Sequence, residues 1–390
     1  MGGYAVAFLI AALGTAGLSW PAKRMAERWG IVAEPDGTRR VHERPTPVLG
    51  GAAMSVACLV ALLVASRLGQ FHEVFSRSEP IGVALGVVII VAIGTVDDIF
   101  ELSPPAKLAG QVLAGSAMYF QGVSLYFFRL PVLDVVVLSR DLAPLLSVLW
   151  VVGMANAVNF IDGIDGLAAG VVGIGAAAFF VYSHHLFDLQ QIAGDNMGPL
   201  LAVIVCGLCV GFLPWNWSPA RMFMGDSGAM LLGLLMASST MVVGGRADAP
   251  SGGQTYFFLA PLLIPFLIMG VPILDTILAI IRRTARGTAP MIADREHLHH
   301  RLLEWGHGPR RAVVILWSLT AILSGFVLVP TYLRTAWAFV PLVLGLLATA
   351  AFALIGRDRP VKLPIGREPS TARSGGPAGA RMRNGGRPPS

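Results

Sequence analysis

Charged residues are scarce in this sequence. Asp, Glu, Lys and Arg make up 13% of its 390 residues, whereas soluble domains average about 25%. Hydrophobic residues make up 55%, and the mean hydropathy is +0.68. This composition excludes an ordinary soluble globular domain and is typical of integral membrane proteins.

Cysteine is also rare, with three residues in the whole chain. Cys58, Cys206 and Cys209 all lie inside apolar runs, so neither a disulfide framework nor a cysteine-based zinc site is indicated. Cys206 and Cys209 have the spacing of a redox pair. Within an apolar run, however, plain helix packing is the favoured interpretation.

Long apolar runs, by contrast, recur along almost the whole chain. A transmembrane helix needs about 20 mainly apolar residues, and eleven runs come close to that length. Because backbone polar groups in lipid must be satisfied within the segment, helices are expected. The predicted fold is an all-α polytopic membrane bundle of about eleven transmembrane helices. The runs are approximately residues 2–22, 50–69, 80–96, 106–126, 142–158, 166–186, 198–214, 227–244, 257–281, 312–330 and 336–356.

The distribution of basic residues predicts the orientation. With the N-terminus outside, all but six of the 29 Lys and Arg residues fall in alternate loops or in the C-terminal tail. The positive-inside rule makes that side, and the C-terminus, cytoplasmic. The net charge of +6 then reflects topology and anionic lipid, and no nucleic-acid partner is needed to explain it. The six exceptions are Arg67, Arg77, Arg129, Arg140, Arg246 and Arg334.

The chain is predicted to form one transmembrane domain, residues 1–356, with a tail at residues 357–390. The tail is rich in Pro, Gly, Ser and Arg and has almost nothing to bury, so we expect a disordered basic cytoplasmic segment. Between two spans, "RLPVLDVVVLS" (residues 129–139) alternates and is rich in valine, which indicates a short external hairpin.

Polar residues are concentrated in the loops that this topology places on the cytoplasmic side. Asp97 and Asp98 end the third run, and Lys107 follows. Adjacent carboxylates repel unless a cation or a proton relieves them. A divalent cation such as Mg²⁺ is one remedy, because it uses one or two carboxylates together with phosphate oxygens and water. A functional acidic pair is therefore favoured over a solvated helix end.

The next cytoplasmic loop, "NAVNFIDGIDG", is even richer in polar side chains. Asn156 and Asn159 are one helical turn apart, and so are Asp162 and Asp165. Helix capping is the strongest structural explanation for such residues. Four of them in ten positions exceed what a cap requires, and amides and carboxylates suit a metal, a ribose or a base edge.

Two further motifs lie on the same side. In "FMGDSG", Asp226 stands at the start of the eighth run, where free N–H groups favour a phosphate that a metal on Asp226 would bridge. In "HLHHRL", His297 and His300 share a helical face, with His299 turned away and Arg301 adjacent. No cysteine accompanies these histidines, so contact with an anionic substrate is favoured over zinc.

Read in order, the motifs resemble those of the polyprenyl-phosphate N-acetylhexosamine-1-phosphate transferases. They are "RRVHERPTPVLGG", "DDIFELSPPAKL", "NAVNFIDGIDGLAAG", "FMGDSG", "LDTILAIIRR" and "DREHLHHRLL". The resemblance covers the chain from about Pro35 to Gly306. It implies a bundle of ten or eleven spans with a cytosolic cleft in the bacterial inner membrane. The reaction implied is transfer of an N-acetylhexosamine 1-phosphate from a UDP-sugar to a polyprenyl phosphate, with release of UMP.

The form of the histidine motif narrows the resemblance. "HLHHRLL" is similar to the branch that uses UDP-N-acetylglucosamine in the first membrane step of cell-wall polysaccharide synthesis. The muramoyl-pentapeptide branch typically has three consecutive histidines, and here Leu298 interrupts the row. Val48 is a departure, because relatives often carry Arg in that place. The alternatives left open are a muramoyl-pentapeptide or other UDP-N-acetylhexosamine donor and, in different classes, an ion-coupled membrane transporter or a non-catalytic lipid-binding scaffold.

The resemblance also assigns roles. Mg²⁺, which Mn²⁺ can replace, is expected on Asp226, with Asn159 as companion ligand. Polyprenyl phosphate, UDP-N-acetylglucosamine and membrane lipid are the expected partners, and a homodimer is one arrangement left open. The expected catalytic residues are Asp97, Asp98, Lys107, Asp226 and His300. The expected substrate-binding residues are Asn156, Asp162, Asp165, His297, His299 and Arg301.

Overall fold

The computed structural model describes residues 1–34, 45–125, 127–130, 134–190, 192–244, 307–332 and 336–355. These residues are mostly helical. The helices are α1 (Gly2–Trp29), α2 (Gly50–Ala65), α3 (His72–Phe75), α4 (Glu79–Phe100), α5 (Pro104–Phe120), α6 (Leu142–Ile161), α7 (Leu167–Asp188), α8 (Gly198–Asn216), α9 (Gly225–Gly244), α10 (Pro309–Tyr332) and α11 (Val340–Ile355). Short 3₁₀ turns occupy Gly69–Phe71 and Ala336–Phe339.

The helices confirm a polytopic membrane bundle. In the described part of the chain, six helices are long and apolar enough to cross a bilayer, namely α1, α4, α6, α7, α8 and α9. A seventh span results if α2 and the segment Gly69–Phe75, bent by 92° against it, are counted as one. The predicted count of eleven stays a prediction. The run at 257–281 and the tail at 357–390 lie outside the described residues.

Two small antiparallel sheets interrupt the helical pattern. Strands β1 (Val32–Ala33) and β2 (Thr46–Pro47) pair beyond the end of α1. Strands β3 (Phe127–Leu130) and β4 (Asp134–Val137) form the hairpin that the valine-rich segment predicts, with Phe127 opposite Val137. In the part of the chain that the structure describes, the fold is therefore all-α apart from these two ribbons.

Helix α9 lies at the centre of the bundle. It packs against α2, α4, α6 and α8. In its most apolar stretch 94% of the residues are buried, against 28% in that of α4. Small residues allow the close approach of its neighbours. A Cβ added to Gly94 of α4 would collide with the backbone of Ser227, so glycine is required at that crossing.

Successive long helices alternate in direction, which gathers one set of helix ends. At this end, called the polar end below, α4, α6 and α8 finish and α2, α5, α7 and α9 begin. Hydrogen bonds between the helices at this end are described below. The opposite end carries the β3–β4 hairpin and an ion pair between Arg77 and Asp195.

Candidate active site

Asp226 is placed by the unusual start of α9. Gly225 has φ +69°, a left-handed conformation that favours glycine. The chain just before it is fixed by backbone hydrogen bonds: Phe223 N donates to Pro47 O at 2.9 Å, and Gly51 N donates to Met224 O at 2.9 Å. The start of α9 is thus held against the start of α2, and Asp226 points out of a rigid turn.

Asp98 holds this turn from the side of α4. Its Oδ1 accepts a hydrogen bond from Asp226 N at 2.7 Å, and its Oδ2 accepts bonds from Ser227 N at 3.2 Å and Ser227 Oγ at 2.8 Å. A carboxylate that accepts the free N–H groups of a helix start is a strong cap, and the helix dipole adds to it. Asp98 therefore positions Asp226. The N–H groups at this helix start, which were expected to be free for a phosphate, donate to the Asp98 carboxylate instead, so that expectation is wrong.

Asp97 and Asp226 share one cation. The Lys107 ammonium donates to Asp97 Oδ2 at 2.9 Å and also to Asp226 Oδ2. The second oxygen of Asp97 accepts the backbone N–H of Leu102 at 2.8 Å. All three charged side chains are partly buried, so the two acids and the lysine form a compact ionic cluster.

The two asparagines of α6 have different surroundings. Asn159 Nδ2 donates to Asp226 Oδ1 at 2.7 Å, on the carboxylate that also binds Lys107. Asn156, one turn earlier, forms a reciprocal amide pair with the fully buried Gln111 of α5: Asn156 Nδ2 donates to Gln111 Oε1 at 2.6 Å. Its amide also donates to Val152 O at 2.8 Å. The structure thus brings Asn159 to Asp226 and engages Asn156 between helices.

Asp165 and Asn216 join the loops on the other side of the polar end. Asp165 Oδ2 accepts a hydrogen bond from Ala220 N at 2.9 Å. Asn216, which is 1% exposed, accepts from Gly166 N at 2.9 Å and donates to Met222 O at 3.2 Å. These bonds tie the loop between α6 and α7 to the segment that leads into Asp226.

Asp162 lies just beyond α6 and faces the same group of acids. Burial is the main cause, and together with the negative charges of Asp226, Asp98 and Asp165 it raises the pKa of this carboxyl to about 8. The carboxyl therefore carries a proton at neutral pH in the metal-free protein. The polar end thus has a surplus of acid that a bound cation would relieve.

This raised pKa makes the stability of the metal-free protein depend on pH through Asp162. An unfolded Asp titrates near pH 3.9, so folding favours the protonated form, and stability declines as pH rises toward about 8. We expect thermal unfolding in detergent with EDTA to show a smaller decline between pH 6 and pH 9 for Asp162→Asn than for the wild type. Asp141→Asn is the control, because Asp141 is an exposed acid at the opposite end that makes no side-chain capping hydrogen bond; parallel curves for all three proteins would contradict this assignment.

The geometry of Gly225 leads to a second prediction. An added Cβ would lie 2.5 Å from Asp98 Oδ2 and 2.6 Å from its Oδ1, at a φ that side chains disfavour. Gly225→Ala should lower the free energy of unfolding by about 2 kcal/mol and displace the cap on α9. The measurement is the melting temperature in detergent. Gly153→Ala is the matched control, because an added Cβ there meets nothing within 4 Å; equal melting temperatures for the two variants would refute the prediction.

A magnesium ion fits the donor set at Asp226. Mg²⁺ usually takes one or two carboxylates plus phosphate oxygens and water, and Asp226 offers one carboxylate with a side chain that is 32% exposed. The Lys107 ammonium binds this carboxylate, so a positive charge already occupies the place where a metal ion would bind. Asn159 would present its amide oxygen after rotation of the amide. In the described part of the chain, no three His, Cys, Asp or Glu side chains are grouped as metal ligands.

The structure thus brings five of the twelve predicted site residues into direct contact, and one motif lies outside the described residues. Asp97, Asp98, Lys107, Asn159 and Asp226 are linked by direct hydrogen bonds or ion pairs. The motif residues His297, His299, His300 and Arg301 lie outside the described residues, as does the loop at 35–44. Gln111 and Asn216 are not among the predicted site residues; the one signal for Asn216 is that it is an amide between two tryptophans, Trp215 and Trp217.

Comparisons with known proteins place this arrangement in a family. Residues 80–244, from the start of α4 to the end of α9, match the glycosyl transferase family 4 model. Decaprenyl-phosphate N-acetylglucosaminephosphotransferase of Mycolicibacterium smegmatis is 40% identical over 309 residues, 77% of this chain and 75% of that protein. The protein of the same name from Mycobacterium tuberculosis H37Rv is 38% identical over 325 residues, 81% and 80% of the two chains. A probable undecaprenyl-phosphate N-acetylglucosaminyl 1-phosphate transferase of Bacillus subtilis is 31% identical over 320 residues, 82% of each.

The fold and the acid–lysine–amide cluster belong to a multi-pass membrane enzyme of the phosphotransferase class. The chain belongs to glycosyl transferase family 4. The resemblance to the polyprenyl-phosphate N-acetylhexosamine-1-phosphate transferases, and to their N-acetylglucosamine branch, is confirmed.

Proposed function

We propose that this chain transfers N-acetylglucosamine 1-phosphate from UDP-N-acetylglucosamine to a polyprenyl phosphate and releases UMP. The observation that carries the proposal is the 40% identity over 309 residues with a protein named decaprenyl-phosphate N-acetylglucosaminephosphotransferase. The Bacillus relative is named for the same sugar and for undecaprenyl phosphate. The product is the lipid-linked sugar that begins a cell-wall polysaccharide.

The chemistry is a direct displacement at phosphorus. An oxygen of the lipid phosphate forms a bond to the sugar-bearing phosphorus of the donor, and the bond from that phosphorus to the oxygen bridging it to UMP breaks. Both reactants are anions, so the site must neutralise charge and align the reacting groups. A phosphate oxygen is already a competent nucleophile, which favours one step over a covalent aspartyl intermediate.

Asp226 and Asn159 would hold Mg²⁺, or Mn²⁺ in its place. When bound, the ion would neutralise the donor pyrophosphate and stabilise the departing UMP. The fit rests on the Asp226 carboxylate, the neighbouring Asn159 amide and the Lys107 ammonium, whose positive charge lies where the metal ion would bind.

The other side chains of the site would bind and orient the two substrates. Lys107 would contact a phosphate, and Asp97, which is bound to it, would orient the lipid phosphate. Asp98 supports the turn that carries Asp226. Asp165, which fixes the loop at Ala220, would lie near the uridine. Asn156 and Asp162 would line the donor side. His297, His299, His300 and Arg301 would contact the sugar and the pyrophosphate.

The polar end would face the cytoplasm, where UDP-sugars are found, with the chain in the bacterial inner membrane. The described basic residues support this orientation: Lys23, Arg24 and Arg28 lie near the end of α1 that leads to the polar end, whereas Arg67 and Arg77 lie toward the opposite end. The N-terminus would then be outside.

The test is UMP release by purified protein with Mg²⁺ and each of a panel of donors. We expect turnover with UDP-N-acetylglucosamine and at least about a hundredfold less with UDP-N-acetylmuramoyl-pentapeptide, because a site that must bind polar sugar groups rejects a poor match strongly. Decaprenyl and undecaprenyl phosphate should be compared as acceptors. Preference for the muramoyl donor would change the substrate. No turnover with any UDP-N-acetylhexosamine, in folded protein, would favour an ion-coupled transporter.

A further inference from the structure

Lys107 is bound to the carboxylate that the proposed metal would need. Its ammonium donates both to Asp97 Oδ2, at 2.9 Å, and to Asp226 Oδ2. Within the described residues it is the only cation that forms an ion pair with Asp97 or Asp226. The Lys107 side chain is 17% exposed, so the pairing is only weakly screened by water.

A metal ion and this ammonium cannot share Asp226 at no cost. Two cations at one carboxylate repel each other, and in a partly buried site that repulsion is larger than in water. Asp97 already binds the ammonium and can keep it when a metal binds Asp226. The Asp97 side chain is 11% exposed, against 32% for that of Asp226. The more accessible carboxylate is thus the one that a solvent ion reaches.

We propose that Lys107 is a counter-ion that is exchanged for the metal: it neutralises Asp226 in the metal-free protein, and binding of the divalent cation releases it to Asp97 and to an incoming phosphate. The inference rests on the metal part of the proposed function and is independent of which sugar is transferred. It assigns two successive partners to one side chain.

The exchange would couple the two binding events. An ammonium group has three N–H donors, and two of them are engaged by Asp97 and Asp226. Release from Asp226 frees a second donor for the lipid phosphate while Asp97 keeps the lysine in position. Since coupling between two ligands is reciprocal, metal binding should favour acceptor binding, and the acceptor phosphate should favour the metal.

The first experiment measures Mn²⁺ binding to the metal-free protein by electron paramagnetic resonance, with no substrate present. Lys107→Met removes the competing ammonium, so we expect Mn²⁺ to bind about tenfold more tightly than to the wild type. Lys23→Met is the matched control, because it removes one positive charge from a partly exposed ion pair with Glu27 on α1. That variant should bind Mn²⁺ as the wild type does.

A second variant should shift the affinity in the opposite direction. Asp97→Asn keeps an oxygen for Leu102 N but removes the carboxylate that would receive the displaced lysine. We expect Mn²⁺ to bind about threefold or more weakly to it than to the wild type. Equal or weaker Mn²⁺ binding by folded Lys107→Met would overturn the proposal, and so would a failure of every protein to bind Mn²⁺.

A measurement on the wild type avoids any dependence on the folding of a variant. Reductive methylation reacts with neutral amines, and Lys107 should react faster once it leaves Asp226. Mass spectrometry should show at least about threefold faster methylation of Lys107 with saturating Mg²⁺ than with EDTA, and no change at Lys23. An unchanged Lys107 rate would overturn the exchange even if the enzyme turns over. Exchange without UMP release would instead refute the proposed function alone.

Discussion

Replacing Asp226 with asparagine should reduce UMP release by at least about a thousandfold, which corresponds to ~4 kcal/mol of transition-state stabilisation. The substitution preserves size but removes the charge that pairs with Lys107 and that would hold the metal. The amide also presents hydrogens to one of two neighbours that are themselves donors, Asn159 Nδ2 and Lys107 Nζ. Initial rates with UDP-N-acetylglucosamine and polyprenyl phosphate in detergent provide the measurement.

The matched control for this substitution is Asp141→Asn. Asp141 precedes α6 at the opposite end of the bundle and makes no side-chain capping hydrogen bond, so its rate should stay within about twofold of wild type. Both proteins should elute as single species in size-exclusion chromatography. A folded Asp226→Asn protein that retains a tenth of the wild-type rate would remove Asp226 from the centre of the site.

Asp98→Asn should lower the turnover number by about a hundredfold and reduce the thermal stability. The wild-type carboxylate accepts three hydrogen bonds, from Asp226 N, Ser227 N and Ser227 Oγ. An amide in its place directs N–H groups at these donors, so at least one contact becomes repulsive. Because the effect acts through the position of Asp226, Mn²⁺ affinity should fall together with the turnover number, and KM for the donor should change less.

Ser227→Ala separates the cap from general damage to the fold. It removes one of the three donors and leaves the two backbone bonds, so its turnover number should fall by no more than about tenfold. A pH–rate profile should move little in either variant if Asp98 positions the turn. A shift of the acidic limb in Asp98→Asn with unchanged Mn²⁺ affinity would instead make Asp98 an acid–base group.

Much of this candidate site could be predicted from the sequence, because the order of the membrane crossings determines which residues lie at the same end of the bundle. Apolar runs fix where the chain crosses the membrane, and alternate crossings place Asp97, Asn159 and Asp226 on one side. Residues at the ends of packed helices on one side lie close together. Asp226 accordingly contacts both Lys107 and Asn159 directly. The β3–β4 hairpin could be predicted as well, because valine alternation is a local pattern.

Other features required the packed structure. Nothing in "DDIF" distinguishes the acid that caps α9 from the acid that binds lysine; that division depends on which face of α4 lies against Ser227. Gln111 stands in an apolar helix without a motif, and its pairing with Asn156 is visible only once α5 and α6 are adjacent. Long-range partners of this kind leave no periodic trace in one sequence.

The central place of α9 has a consequence for biosynthesis. Of the six long described spans it is the least hydropathic and the most enclosed, and it buries the hydroxyls of Ser238, Ser239 and Thr240 against other helices or its own backbone. Its neighbours among the described helices, α2, α4, α6 and α8, all precede it in the chain, so they are synthesised first. The segment that carries Asp226 is therefore synthesised after these packing partners, so its buried hydroxyls can contact protein rather than lipid when it enters the bilayer.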